Sequence, residues 1–149
     1  MSEKNRELCA RYPFLLPRNG FTDEIIKDYD YSYTILDDLP TGWRESFGEE
    51  MCEELKGVLG DEINGWRIIQ LKEKFGAMRL YPNWTPPEVA QVIHKYSELS
   101  EHICVRCGAR ATHLSRGWIL PYCEDCARRT FKNFERQCQP LPFNKEKET

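Results

Sequence analysis

No apolar run in this 149-residue chain approaches the 18 or so residues of a membrane-crossing helix, so the sequence offers none. Histidine is scarce, with three residues in all. No His-Glu-x-x-His, Gly-x-Ser-x-Gly elbow or phosphate-binding Gly-rich loop is present. The nucleobase-deaminase pattern fails as well. No His-x-Glu exists, and Pro121-Tyr122-Cys123 puts one residue between proline and cysteine. A His-Asn-His nuclease between two cysteine knuckles would need more than His113, the one histidine of that interval, which also holds no asparagine. No internal repeat is visible. Met1 to Arg11 is charged and has no apolar core, so we expect no signal peptide and a reducing, cytoplasmic compartment. These gaps together predict a protein that is not an enzyme.

Cysteine is the residue in surplus. There are seven, an odd number that argues against a disulfide framework. Four form two Cys-x-x-Cys pairs, Cys104 with Cys107 and Cys123 with Cys126, with 15 residues between them. That spacing suits one tetrahedral zinc ion held by four thiolates. Two intervening residues let a tight turn aim both sulfurs of a pair at one ion, and Gly108 supplies the positive φ such a turn needs. A filled coordination sphere leaves no place for an activated water, so the predicted zinc is structural. Four unrelated reduced cysteines are the competing reading. His102 and His113 are possible substitute ligands, but solvated or core positions suit them better. Cys9 and Cys138 are lone thiols with nothing nearby to activate them.

The formal net charge of −3 hides an asymmetry. Residues 21–62 carry 13 Asp/Glu against 3 Lys/Arg, whereas residues 100–138 carry 7 Lys/Arg against 4 Asp/Glu. An acidic body of this kind is either solvated surface or a face for a basic protein partner. The zinc end presents Arg106, Arg110, Arg116, Arg128, Arg129 and Lys132 as candidate phosphate contacts. The pI near 5.7 weighs against nucleic acid as the main partner. Asp28, Asp30, Asp37 and Asp38 have no partnering His or Lys and read as turn and surface residues.

Patterning predicts an α+β fold: an antiparallel hairpin and two main helices, with a C-terminal zinc ribbon. Residues 1–20 read as an N-terminal extended segment, with Tyr12 to Pro17 tucked against the core. An acidic core occupies 21–103, a zinc module with a short basic helix 104–138, and a disordered tail 139–149. Within the core, Tyr29, Tyr31, Tyr33 and Ile35 alternate with polar residues, the mark of a half-buried strand. Trp43, Phe47, Met51, Leu55 and Leu59 recur at steps of four, with Cys52 beside them, and predict an amphipathic helix ended by Gly60. Trp66–Glu73 and Met78–Tyr81 predict two strands joined at Lys74 to Ala77. Thr85, with Glu88 three residues on, predicts a capping box before a helix carrying Val89, Val92, Ile93, Tyr96, Leu99 and Ile103. Arg116-Gly117 reads as a turn before a strand at Trp118-Ile119-Leu120. Phe131 and Phe134 mark a short final helix.

Several stretches, taken together, resemble a family of small uncharacterised bacterial and bacteriophage proteins. They are Tyr12 to Asn19, Asp28 to Thr34, Gly42-Trp43, Gln70 to Arg79, and the end Cys104-x-x-Cys107-Gly108, Gly117-Trp118, Cys123-x-x-Cys126. The resemblance spans residues 10–130 and implies a bacterial or infected-cell cytoplasm. It also implies that all four cysteines are zinc ligands; some members carry His at the position of Cys126. The resemblance names no function; the acidic, Tyr-rich half leads to the expectation of an accessory protein that binds a basic protein partner, as inhibitors and adaptors of anti-defence or immunity type do. The alternative is a nucleic-acid-binding zinc-ribbon regulator.

Overall fold

A computed structural model of the chain describes residues 2–19 and 21–141. Its first element is helix α1 (Ser2–Arg11), where the sequence predicts an extended segment. Leu8 and Cys9 bury apolar surface, and Asn5 buries its amide, which donates to the Tyr31 carbonyl at 2.8 Å. So few buried positions leave no readable stripe. The Pro-flanked run that follows is a tight 3-10 turn, Pro13–Leu15, with Phe14 set edge-on to Trp66 at 5.2 Å.

Residues 28–35 do not form the predicted strand. Asp28 and Tyr31 hold φ of 60° and 61°, left-handed values foreign to a strand. Local bonds decide the outcome. Asp30 Oδ1 accepts the Ser32 N–H at 3.0 Å, an Asx turn, and the Tyr29 hydroxyl donates to the Tyr33 carbonyl. The Tyr29 ring packs on Tyr31 and Tyr33, with centroids 4.6 and 5.4 Å apart. The tyrosines do meet, as a folded cluster and not as a ladder. Thr34 and Asp37 then close a capping box on the 3-10 turn Ile35–Asp38.

The predicted amphipathic helix is present in three joined pieces: α2 (Thr41–Trp43), one wide π turn (Arg44–Gly48) and α3 (Glu49–Leu59). A stripe at steps of four overshoots a straight α-helix by about 40° per step. The π turn takes up part of that drift, and all five stripe residues stay buried. Gly60, at φ 54°, ends the helix.

Strands β1 (Ile68–Lys74) and β2 (Ala77–Pro82) pair antiparallel, with Lys72 opposite Arg79 and Lys74 opposite Ala77. Phe75 and Gly76, both at positive φ, make the two-residue turn. Helix α4 (Pro87–Ser100) packs on β2 and α3. Its N-cap is Pro86 and no side chain caps it, so Thr85 does not play its predicted part. Ser100 is fully buried at the other end. Its hydroxyl accepts the Met78 N–H at 2.8 Å and donates to the Ser97 carbonyl at 2.6 Å. Ser100→Ala strands that N–H, so we expect a loss of about 1–3 kcal/mol, read as a lower urea midpoint at unchanged slope.

The last third is a three-stranded sheet in the order β4-β3-β5, formed by β3 (His113–Ser115), β4 (Pro121–Tyr122) and β5 (Cys138–Pro140). Trp118 to Leu120 form a loop and not the predicted strand. Gly117, at φ 74°, turns the chain, and the Ser115 hydroxyl accepts the Leu120 N–H at 2.9 Å. The predicted final helix is two short ones, α5 (Glu124–Thr130) and α6 (Phe134–Gln137), split by extended backbone at Phe131. Residues 139 and 140, predicted as tail, complete β5 against β3. Leu141, also predicted as tail, is buried and donates its N–H to the Thr112 carbonyl at 3.0 Å, whereas 142–149 lie outside the described residues. The whole is a mixed α+β fold of helices, a hairpin and a small sheet.

Candidate metal centre

The first cysteine pair sits on a knuckle built directly off the end of α4. The Cys104 N–H donates to the Ala109 carbonyl at 2.7 Å, and the Gly108 N–H returns to the Cys104 carbonyl at 3.1 Å. Gly108, at φ 81°, makes the reversal. The Ala109 N–H then points at Cys107 Sγ, 3.5 Å away. Cys123 stands at the N-cap of α5, where its sulfur accepts the Cys126 N–H at 3.4 Å. The Val105 N–H reaches the Pro121 carbonyl at 3.0 Å and ties the two knuckles together.

This scaffold brings the four cysteines into one group. Their sulfurs all lie within 4.8 Å of one another, and Cys107 and Cys123 are 3.7 Å apart. A tetrahedron with metal–sulfur bonds of about 2.3 Å has edges of about 3.8 Å. The group could therefore hold a metal ion. Cys104 is fully buried and Cys107 exposed, so the site is anchored at its base and open at its rim.

The protonation pattern suits a cation. Burial pushes the Cys104 thiol up, but N–H groups of Cys107, Cys123 and Arg106 outweigh it and draw Cys104 down to about 7. Burial raises Cys123 and Cys126, and thiol–thiol hydrogen bonds and the charge on Cys104 hold Cys126 higher still. One negative charge thus raises the cost of the next. A divalent ion reverses that repulsion and favours four thiolates together.

Neither candidate histidine joins the group. His113 packs at 4.9 Å against Phe134, the rings tilted by 58°, and pairs through Nδ1 with the Thr112 hydroxyl at 2.8 Å. His102 is half-buried two residues before Cys104, and its carbonyl accepts the Ala111 N–H at 2.7 Å. Among the lone thiols, Cys9 lies buried 3.9 Å from the Tyr29 hydroxyl, and burial raises its pKa; burial does the same to Cys138.

The sequence hides the way this centre is fixed to the core. The Gly42 N–H donates to the Val105 carbonyl at 2.8 Å, and Trp43 Nε1 donates to the Ile103 carbonyl at 2.8 Å. A Cβ on Gly42 would meet the Cys104 carbonyl oxygen at 2.2 Å. Backbone therefore packs on backbone where α2 crosses the first knuckle. In the sequence Gly42 stands out only beside Trp43 among the family-like stretches, with nothing to mark this close approach.

The basic residues predicted at this end divide. Arg128 pairs with Glu124 at 2.9 Å and lies 4.2 Å over the Phe134 ring, and Arg129 pairs with Asp125 at 3.1 Å. Arg106 bonds the Thr130 hydroxyl at 3.1 Å. Arg110, Arg116 and Lys132 have no ion pair among the described residues. Of the acidic candidates, Asp37 pairs with Arg44 at 2.8 Å, and burial with the charge of Asp37 raises the Asp38 carboxyl.

Among the described residues no helix is long and apolar enough to cross a membrane. No family model, curated protein or solved structure matches the chain. The molecule is thus defined by its α+β fold and its four-cysteine cluster.

Proposed function

We propose that this chain is a zinc-binding, non-enzymatic accessory protein that docks a protein partner. The single observation that carries the zinc is the convergence of four thiols at tetrahedral spacing. Soft thiolates in a tetrahedron select zinc or iron, and a closed set of four leaves no open position for hydrolytic water. Cys104, Cys107, Cys123 and Cys126 hold one structural ion that fastens the C-terminal segment to the core.

The partner in this reading is a protein with a basic surface. Thirteen acids lie within residues 21–62. Five of them, Asp23, Asp37, Glu49, Glu53 and Glu54, are engaged in ion pairs. The other eight, Glu24, Asp28, Asp61 and Glu62 among them, have no ion pair among the described residues, which supports a surface for external cations. The likeness to bacterial and bacteriophage proteins supports a bacterial or infected-cell cytoplasm, where an inhibitor or adaptor of this kind would act.

A tagged pull-down from bacterial lysate, run with and without nuclease, tests the reading. We expect a stoichiometric protein that survives nuclease and is lost with Glu24→Lys plus Asp28→Asn. Those two are the clean choices. Asp30 and Asp37 hold local turns, whereas Asn at 28 keeps the left-handed backbone. Recovery of nucleic acid alone, with the proteins lost to nuclease, overturns it.

A further inference from the structure

Residues 66–84 carry four Lys/Arg and a single acid, Glu73. The hairpin sorts these charges by face. Gln70, Lys72 and Lys74 alternate onto one face of β1, and their cross-strand partners Tyr81, Arg79 and Ala77 share it. Lys72 and Arg79 stand directly opposite each other, an arrangement of like charges that destabilises a strand pair unless an anion covers it. Lys72, Lys74 and Arg79 have no ion pair among the described residues.

Glu73 does not neutralise this face. Its carboxylate is turned toward the hairpin tip, where Oε2 accepts the Gly76 N–H at 2.8 Å and Oε1 accepts the Trp118 indole N–H at 3.2 Å. The acid pins the 117–119 loop against the hairpin turn. The Ile119 carbonyl oxygen would sit 3.4 Å from a Cβ on Gly76, so the two turns are in close contact. Yet Trp118 stays 76% exposed and Phe75 73% exposed. Glu73, Lys74, Phe75, Gly117, Trp118 and Ile119 border one groove of about 290 Å³. Gly117 also borders a second depression, lined by Arg116 and Arg136. Neither arginine has an ion pair among the described residues. Cations without an ion pair thus flank a groove with two large exposed rings, and the one carboxylate in that groove, Glu73, is taken up by the Gly76 and Trp118 N–H groups.

We infer that the outer face of the hairpin and the adjoining 116–118 turn form a docking strip for single-stranded nucleic acid. Bases stack on Trp118 and Phe75, and phosphates lie on Lys72, Lys74, Arg79 and Arg116. Every base has a π-face, and an exposed indole offers a stacking platform only to a base free of its own helix. An acidic peptide satisfies the cations but leaves the rings without a matched surface. The strip is separate from the acidic surface of residues 21–62, so this inference and the protein-partner reading can fail independently.

The test is fluorescence anisotropy of the full chain with a labelled 15-nucleotide oligothymidine, titrated at several salt concentrations. Four phosphate contacts give a log–log salt slope of about −2.8, or about 50-fold weaker binding between 50 and 200 mM salt. Trp118→Ala and Phe75→Ala are each expected to weaken binding about tenfold. Lys72→Glu with Lys74→Glu should abolish it. Arg128→Gln with Arg129→Gln, which breaks pairs the chain already makes, should leave it unchanged. Far-ultraviolet circular dichroism and zinc content check that each variant is folded. No binding at 50 mM salt overturns the inference, and so does affinity indifferent to the aromatic changes. Equal affinity for duplex DNA overturns the single-strand assignment, and competition by a poly-glutamate peptide as good as by the oligonucleotide assigns the strip to an acidic protein instead.

Discussion

Gly42→Ala is expected to destabilise the protein by about 3 kcal/mol or more, although it adds one methyl group at a helix start. In most helices that substitution helps, by roughly 0.5–1 kcal/mol. Here the new carbon would stand 2.2 Å from the Cys104 carbonyl oxygen, 2.7 Å from the Gly108 nitrogen and 2.7 Å from the Val105 carbonyl carbon. None of these belongs to a flexible side chain that can step aside. Overpacking ordinarily costs about 1–3 kcal/mol when side chains yield, and a backbone clash lies at the top of that range or beyond it. Relief requires the knuckle to lift off α2, which breaks the Gly42–Val105 and Trp43–Ile103 hydrogen bonds together. The same movement displaces Cys104, so weaker metal retention should accompany the lower stability. Urea denaturation and competition with a chromophoric chelator measure the two effects. A variant with wild-type stability and metal affinity would show that α2 and the knuckle do not pack as described.

Much of the fold was legible because it follows short-range rules. The hairpin announced itself by two β-rich runs around Phe75-Gly76, and both residues take the positive φ that such a turn demands. The stripe from Trp43 to Leu59 was visible as a periodicity, although the π turn that keeps it aligned was not. The Cys-x-x-Cys pairs were the clearest signal of all, since thiol spacing reports directly on a shared site. The failures have a common cause. Tyr29, Tyr31 and Tyr33 alternate as a strand would, but Asp28 and Asp30 favour left-handed and Asx-turn backbone, and local bonds won. Helix α1 buries too little apolar surface to show a stripe and is held from outside, through Asn5 to Tyr31 and through its cations to Glu49 and Glu53. Strand β5 exists only because β3 offers it an edge. Gly42 and the like-charged Lys72–Arg79 pair have meaning only once distant backbone is in place.

Removing the metal should have the largest effect of all, and it should not stay local. Structural zinc in small Cys-rich sites supplies about 10–16 kcal/mol of apparent binding energy, comparable to the whole stability of a domain of this size, about 5–15 kcal/mol. Around the four sulfurs the supporting structure is slight: strands of two and three residues and helices of seven and four. These elements cannot hold the knuckles together against the repulsion of several thiolates. Cys104, Val105, Tyr122, Ala127 and Cys138 are nevertheless part of the same buried cluster as Trp43, Phe47 and Tyr96. Loss of a bound ion should therefore open the main core as well as the C-terminal third. We expect one zinc per chain by elemental analysis. A strong chelator should lower the melting temperature by about 10–20 °C, the size of a loss of roughly 5 kcal/mol in a chain of this length. Tryptophan emission should shift to the red as Trp43 gains access to water. Among single variants, Cys104→Ser should be the most damaging, because it removes a ligand and leaves a hydroxyl in a fully buried position. Cys107→Ser, at the exposed rim, should be milder. Cys126→Ser decides the ligand set. Full zinc content together with an unchanged melting temperature in that variant would remove Cys126 from the site, and would leave the convergence of the four sulfurs without its proposed purpose.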